Sequence, residues 1–394
     1  MIKIPKNRHI LVVGGDHHNT LASLRSLGRA GVHFDLLLHS KKKKLDELIA
    51  ASSRYCPDGC TLVDDTCDAV SKGYQHWLVG KDPHDCIVLT SSDLAAYVAD
   101  RELAAVGVVT SSFQGEAGRA ARLMDKYEQY LWATSHGIPM ARSIVVTDGE
   151  RSAENLHFPL ILKPLVSAFG EKTDIAIVDT HKAYDEACKN LFTNGYKRLL
   201  VQEVVDFDYE MVACGCIFLS SGKEAHITLK KEVTFPRKAG NVAIGHAEQV
   251  PEIERLLREV TNALSGEGFR GMFDIEVFAT AQGPVLNEIN FRQSGNMFAC
   301  LDNGMSLPLF WVGDASGGSI VLPETEAGWL RIVAEPQLVS GFTHGQISAG
   351  SAIASVLRAN SFAIYAKDDT SPLRKFLFGG IVAKISKALL KKGH

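Results

Sequence analysis

The 394-residue chain lacks any long apolar run. No stretch approaches the roughly 20 consecutive apolar residues that a membrane-spanning helix needs, and residues 1 to 9 lack the apolar middle of a signal peptide. A cytoplasmic protein is therefore expected. Net charge is also nearly absent: 42 Lys and Arg stand against 45 Asp and Glu, a total of −3. That balance excludes the chain-wide basic surface of a dedicated nucleic-acid binder, so no nucleic-acid partner is expected. Cysteine is sparse, with eight residues scattered at 56, 60, 67, 86, 188, 214, 216 and 300. The Cys56–Cys60 gap is not followed by a second pair at metal-knuckle spacing, which favours free thiols over a zinc site. A G-x-G-x-x-G fingerprint is missing too: Gly14-Gly15 follows the first apolar run, but the next glycine is Gly28. That argues against a nicotinamide site.

What is present is ordinary globular material, 46% hydrophobic and 22% charged, which excludes a disordered chain. His9 to Val13 reads as a strand, Gly14 to Thr20 as a turn, Leu21 to Ala30 as a helix and Phe34 to Leu38 as a second strand. The runs Cys86–Leu89 and Val106–Val109, separated by the helical segment Leu94–Ala105, extend this into an open, mostly parallel α/β sheet. The texture changes near Arg119. A helix over Arg122–His136 stops at Gly137-Ile-Pro139, and strands follow at Ser143–Thr147, Phe158–Lys163 and Asp174–Val178. Further strands are read over Leu199–Val205, Tyr209–Leu219 and Ala225–Val233, then a helix over Glu252–Ser265 and a hairpin over Met272–Phe291 turning at Gln282-Gly283. Strands in groups without intervening helices predict antiparallel sheet, hence α+β. Gly313 to Gly318 is glycine-rich and marks a further boundary. The expected domains are 1–118, 119–315 with a lobe boundary near 200, and 316–394.

The hairpin carries the chemistry. Period-2 alternation puts Asp274, Glu276 and Phe278 on one face of its first strand, and Glu288, Asn290 and Arg292 on one face of its second. Carboxylates and an amide oxygen on a shared face suit a hard cation such as magnesium, with the arginine as a phosphate clamp. The alternative is a solvated face whose carboxylates pair with Lys or Arg.

At Glu288-Ile-Asn290-x-Arg292 the chain resembles the ATP-grasp superfamily, over roughly 200 residues, with Glu276 where that family places its second metal carboxylate. The resemblance implies an N-terminal pre-ATP-grasp α/β domain, a two-lobed ATP-grasp domain and a small C-terminal segment. It implies that Glu276, Glu288 and Asn290 hold magnesium, or manganese in its place, on the phosphates of ATP. Arg292 and Lys163 then support the transferred phosphate, and Lys126 is the first ATP lysine. Gln202, Glu203, Val204 and Val205 correspond to the hinge that meets adenine, and Asp208 to the acidic residue on the ribose. The loop Ser167–Thr173, which would cover the phosphates, has one glycine where the family is often glycine-rich, so Ser167 and Lys172 would supply the contacts.

On the acceptor side, Lys231 and Arg237 either bind a carboxylate or belong to a solvated basic loop, and Ser294 lies in a small polar segment facing a second substrate. The run Leu301–Trp311 further resembles carboxylate–amine ligases such as D-aspartate ligases, and the chain as a whole resembles the carbamoyl-phosphate-synthase-like type of ATP-grasp protein. The implied reaction joins a small-molecule carboxylate, an amino acid or a cell-envelope precursor, to an amine through an acyl phosphate. A small-molecule kinase, or a protein that binds ATP without turnover, are the alternatives. From Pro372 to Lys392 there are six basic residues and no acidic one, with Leu377, Ile381, Ile385 and Leu389 at helical spacing. Such a helix either lies on an anionic membrane surface or packs on the protein. The reading admits a homodimer.

Overall fold

The computed structural model describes residues 4–166, 174–237, 240–323 and 330–381. The loop with Ser167 and Lys172, and the tail from residue 382, lie outside the described residues. The first apolar runs become four parallel strands, β1 (His9–Gly15), β2 (Asp35–His39), β3 (Thr61–Val63) and β4 (Cys86–Thr90), in the order β3-β2-β1-β4. Both faces of β1 are buried. Ile10 and Val12 pack with Leu21, Leu24 and Leu27 of the helix His18–Arg29, while Leu11 and Val13 pack with Val70 and Tyr74 of the helix Cys67–Leu78. Helices on both faces are what allow an apolar run without alternation to form a strand. Val106–Val109 is not a strand. Gly107 sits at φ 94° in the left-handed region, which breaks the extended path, and Val109 makes an isolated bridge to Ile87. A two-residue strand, β5 (Ser112–Phe113), follows.

A four-stranded antiparallel sheet comes next, formed by β6 (Ser143–Thr147), β7 (Leu160–Pro164), β8 (Ala176–Val178) and β9 (Arg198–Glu203) in the order β6-β9-β7-β8. Its core is its own: Val146, Leu160, Leu162 and Val201 meet Tyr184, Cys188 and Leu191 of the helix His181–Thr193.

The largest sheet contains β10 (Tyr209–Ile217), β11 (Glu224–Phe235), β12 (Asn241–Ala247), β13 (Phe269–Thr280), β14 (Gly283–Asn290), β15 (Arg331–Val333) and β16 (Ser361–Phe362). Their order is β14-β13-β10-β11-β12-β15-β16, with β5 paired to β13. Alternation along β10 divides its two faces. Met211, Ala213 and Ile217 join the core under the helix Pro251–Gly266, whereas Val212, Cys214 and Cys216 join the core that includes Trp311 and helix His18–Arg29. That second core is continuous with the first sheet, so Ile10 and Val12 share one apolar interior with Val212 and Cys214.

The segment after residue 315 adds β15 and β16 to this sheet, and Arg25 of helix His18–Arg29 is ion-paired at 3.0 Å with buried Asp369. All eight cysteines are free thiols. Among the described residues no helix is long and apolar enough to cross a membrane.

Candidate active site

The hairpin β13–β14 turns where Gly283 takes φ 118°, a left-handed value that glycine accepts without strain. Its register sets Asp274 opposite Asn290 and Glu276 opposite Glu288, with an irregularity between Glu276 and Val277. The four polar side chains thus form two facing pairs, as the alternation predicts. Asn290 donates from Nδ2 to Asp274 Oδ1 at 3.1 Å, which leaves its amide oxygen as an acceptor. Asn287 donates to Glu276 Oε2 at 3.1 Å.

Lys126 is brought to Glu288 by a buried glutamine that sequence reasoning missed. Gln129, one turn along the helix Lys126–Ser135, donates to the Ile289 carbonyl and accepts from the Ile289 amide, both at 2.8 Å. That side chain holds the helix against β14. Asp125 caps the helix by accepting from the Tyr127 and Glu128 amides, and the Lys126 amide donates to Leu165 O at 2.8 Å, just beyond β7. Lys126 then forms an ion pair with Glu288.

Lys163 is half-buried at the end of β7 and donates to Gln202 Oε1 at 3.0 Å; Gln202 in turn donates to Ser143 Oγ at 2.9 Å. Desolvation and repulsion from Lys126 lower the Lys163 ammonium to about 8, against the pull of Glu288 and Glu276. The two lysines and the two carboxylates therefore act on one another in one place.

The segment at the end of β9 is partly committed. Glu203 accepts from the His157 amide at 2.9 Å and lies 3.0 Å from His157 Nδ1. The Glu203 and Val204 amides donate to the carbonyls of Arg142 and Pro159. Among the described residues the Val205 amide has no backbone partner. Asp208 is exposed and its amide donates to Ala279 O at 2.9 Å.

Two acceptor-side expectations change. Lys231 lies in no solvated loop: it is 7% exposed, paired with Glu210, and 3.1 Å from Glu276. The register that sets Glu210 opposite Lys231 explains this burial. Desolvation opposes the charges here, yet Lys231 and the Glu210 hydrogen bond hold Glu276 down to about 2, while burial and repulsion from Glu276 push Glu210 up to about 8. Ser294 lines no open surface either. It is fully buried and donates to Asp274 Oδ2 at 2.5 Å beside Cys214, so it orients a carboxylate. Burial, with Glu276 nearby, raises Asp274 against the pull of Arg292. Arg237 is exposed on the turn after β11, six residues past Lys231. Arg292 donates from Nε to Asp93 Oδ1 at 2.7 Å, a partner at the start of the helix after β4 that nothing in the sequence announced.

The donors fit a hard cation. Glu276, Glu288 and the Asn290 oxygen share one face, and their protein counter-charges are Lys126 and Lys231. Among the described residues no three His, Cys, Asp or Glu side chains gather around one point.

No known protein-family profile matches the chain. Over 155 residues, 37% of its length, it is 28% identical to formate-dependent phosphoribosylglycinamide formyltransferase of Mannheimia succiniciproducens. Over 151 residues it is 30% identical to the same enzyme of Pseudomonas savastanoi pv. phaseolicola. The match spans little more than a third of those relatives' own length. Among solved structures, carboxyaminoimidazole ribonucleotide synthase of Aspergillus clavatus, complexed with ATP, superposes with a TM-score of 0.63 at 16% identity, covering 82% of this chain and 80% of that one. L-amino acid ligase of Bacillus licheniformis superposes with a TM-score of 0.58 at 15% identity, covering 79% and 75%. The chain carries the fold of these solved structures, the ATP-grasp fold.

Proposed function

We propose that the protein is an ATP-dependent ligase that joins a small-molecule carboxylate to an amine. The observation that carries this reading is the facing pair Glu276 and Glu288, next to Lys126, Lys163 and Arg292. These groups combine hard-oxygen ligands with cations suited to ATP phosphates. Magnesium on Glu276, Glu288 and Asn290 would neutralise part of the phosphate charge.

In the first step a carboxylate oxygen of the substrate attacks the γ-phosphorus, the bond to the β-phosphate oxygen breaks, and an acyl phosphate and ADP result. Lys126 and Lys163 bind phosphate oxygens, and Arg292 stabilises charge on the phosphoryl group in transit. In the second step the amine attacks the acyl carbon, the carbon–oxygen bond to phosphate breaks, and an amide, phosphate and a proton are released. Val204, Val205 and Glu203 would meet the adenine, Asp208 the ribose and Ser167 the phosphates. No side-chain nucleophile is needed, and the chain's share is positioning and charge balance.

An ammonium substrate must first lose a proton, and the residues that bind the two acceptors lie outside the motifs. A screen of amino acids, short peptides, formate and bicarbonate with amine partners tests the reading. Substrate-dependent release of both ADP and phosphate is expected; ADP without phosphate would indicate a kinase. The reading divides the chain near residues 118, 200 and 315, places it in the cytoplasm, admits a homodimer, and gives the tail from residue 372 two alternatives, a membrane face or packing on the protein. Light scattering tests the dimer. Equal sedimentation with anionic liposomes, with and without residues 372–394, would remove the membrane contact.

A further inference from the structure

Arg292 lies just past the hairpin and is held by a residue distant in sequence. Its Nε donates to Asp93 Oδ1 at 2.7 Å across 199 residues of sequence, and its Nη1 donates to Gln293 O at 3.1 Å. Nη2 makes no hydrogen bond among the described residues.

Both partners are fixed to the end of β4. The Gln293 amide donates to Thr90 O at 3.1 Å, its side chain donates to Asn19 O at 2.6 Å, and Ser23 donates to it at 2.5 Å. Asp93 opens the helix that follows β4, after Ser92, whose hydroxyl accepts from the Ala95 amide and lies 2.6 Å from His39 Nε2. His39 is buried and its Nδ1 is 2.7 Å from Asp65. The anchorage of Asp93 thus runs back through the ends of β2 and β3.

Such an anchor matters because Arg292 has competing attractions. Asp274 and Glu288 act on the same guanidinium, and pairing with Glu288 would place the arginine on a carboxylate intended for magnesium. We infer that Asp93 is a positioning residue for Arg292: it grips the guanidinium by Nε, keeps it off Asp274 and Glu288, and leaves the Nη2 edge for the phosphoryl group. This inference rests on the ligase reading of the same site. A free arginine side chain would sample many rotamers, and a fixed one loses less on meeting its ligand.

The test avoids the unidentified substrates. Affinity for Mg·ADP, alone and with orthovanadate in place of the transferred phosphoryl group, is measured for the wild type, Asp93→Asn, Asp93→Glu, Arg292→Ala and the double variant Asp93→Asn with Arg292→Ala. Asp93→Asn keeps the shape and removes the charge. Expected are unchanged Mg·ADP binding, which also reports an intact fold, and an about tenfold loss of the gain from vanadate. Asp93→Glu should restore part of that gain, and the double variant should match Arg292→Ala. An unchanged vanadate gain in Asp93→Asn, or losses that multiply in the double variant, overturns the inference while the ligase reading stands. No vanadate gain in the wild type overturns both.

Discussion

Two charged clusters occupy opposite faces of the same large sheet and are built on different plans. On one face, Glu210, Lys231, Glu276, Asp274 and Glu288 gather with carboxylates in excess of the lysine among them, and Lys126 and Arg292 arrive from other elements. On the other, His226 stands between Glu224 and Glu254 at 3.6 and 3.0 Å, with Thr228 donating to Glu254 at 2.6 Å beneath the helix Pro251–Gly266. The second cluster completes itself with its own sheet and one covering helix. The first draws on distant segments and keeps acceptors such as the Asn290 oxygen for a ligand.

Four substitutions sharpen or break that contrast. The largest effect should come from Glu288→Gln, which removes a metal carboxylate and should lower magnesium-dependent ADP formation by about a thousandfold, with unchanged circular dichroism; near-normal turnover would refute the assignment. Lys231→Met leaves Glu210 and Glu276 buried without their cation and should cost about 3–5 kcal/mol of stability in denaturant titrations. His226→Gln should cost about 1–3 kcal/mol at neutral pH. Burial opposes the His226 charge, but Glu224 and Glu254 overcome it and raise the group to about 9. The charged form is therefore favoured by folding, its contribution is complete below the unfolded value near 6.5, and it fades as pH rises through about 9. Wild type and variant should thus converge in thermal unfolding at pH 10, and a gap that persists there would exclude the charge mechanism. The smallest effect concerns Lys163, which loses its charge above about 8. Nucleotide affinity should fall several-fold between pH 7 and 9.5, and less in Lys163→Arg, whose charge persists.

The first cluster was legible in part. Alternation along β13 and over Glu288–Asn290 of β14 fixes a face, so Glu276, Glu288 and Asn290 can be set together from residue types and spacing alone, although the register slips once between Glu276 and Val277. Asp93 and Gln129 could not be found that way, because each acts across 160 residues or more and neither belongs to a periodic pattern. The burial of Lys231 and Ser294 was not legible in residue types either. Their neighbours follow from strand register and loop docking, which put Glu210 beside one and Asp274 beside the other. Val106–Val109 has strand composition, and Gly107 diverts it.

The partition of the apolar interior has a mechanical consequence. The first sheet and the large sheet share one core, so neither can shift without opening apolar surface to water along the whole contact. The β6–β9 sheet has a separate core with its own helix. Lys163, Gln202 and Glu203 ride on that smaller body, whereas Glu288 and Arg292 ride on the larger one. Amide exchange should therefore find the small body unfolding first, as an independent cooperative unit.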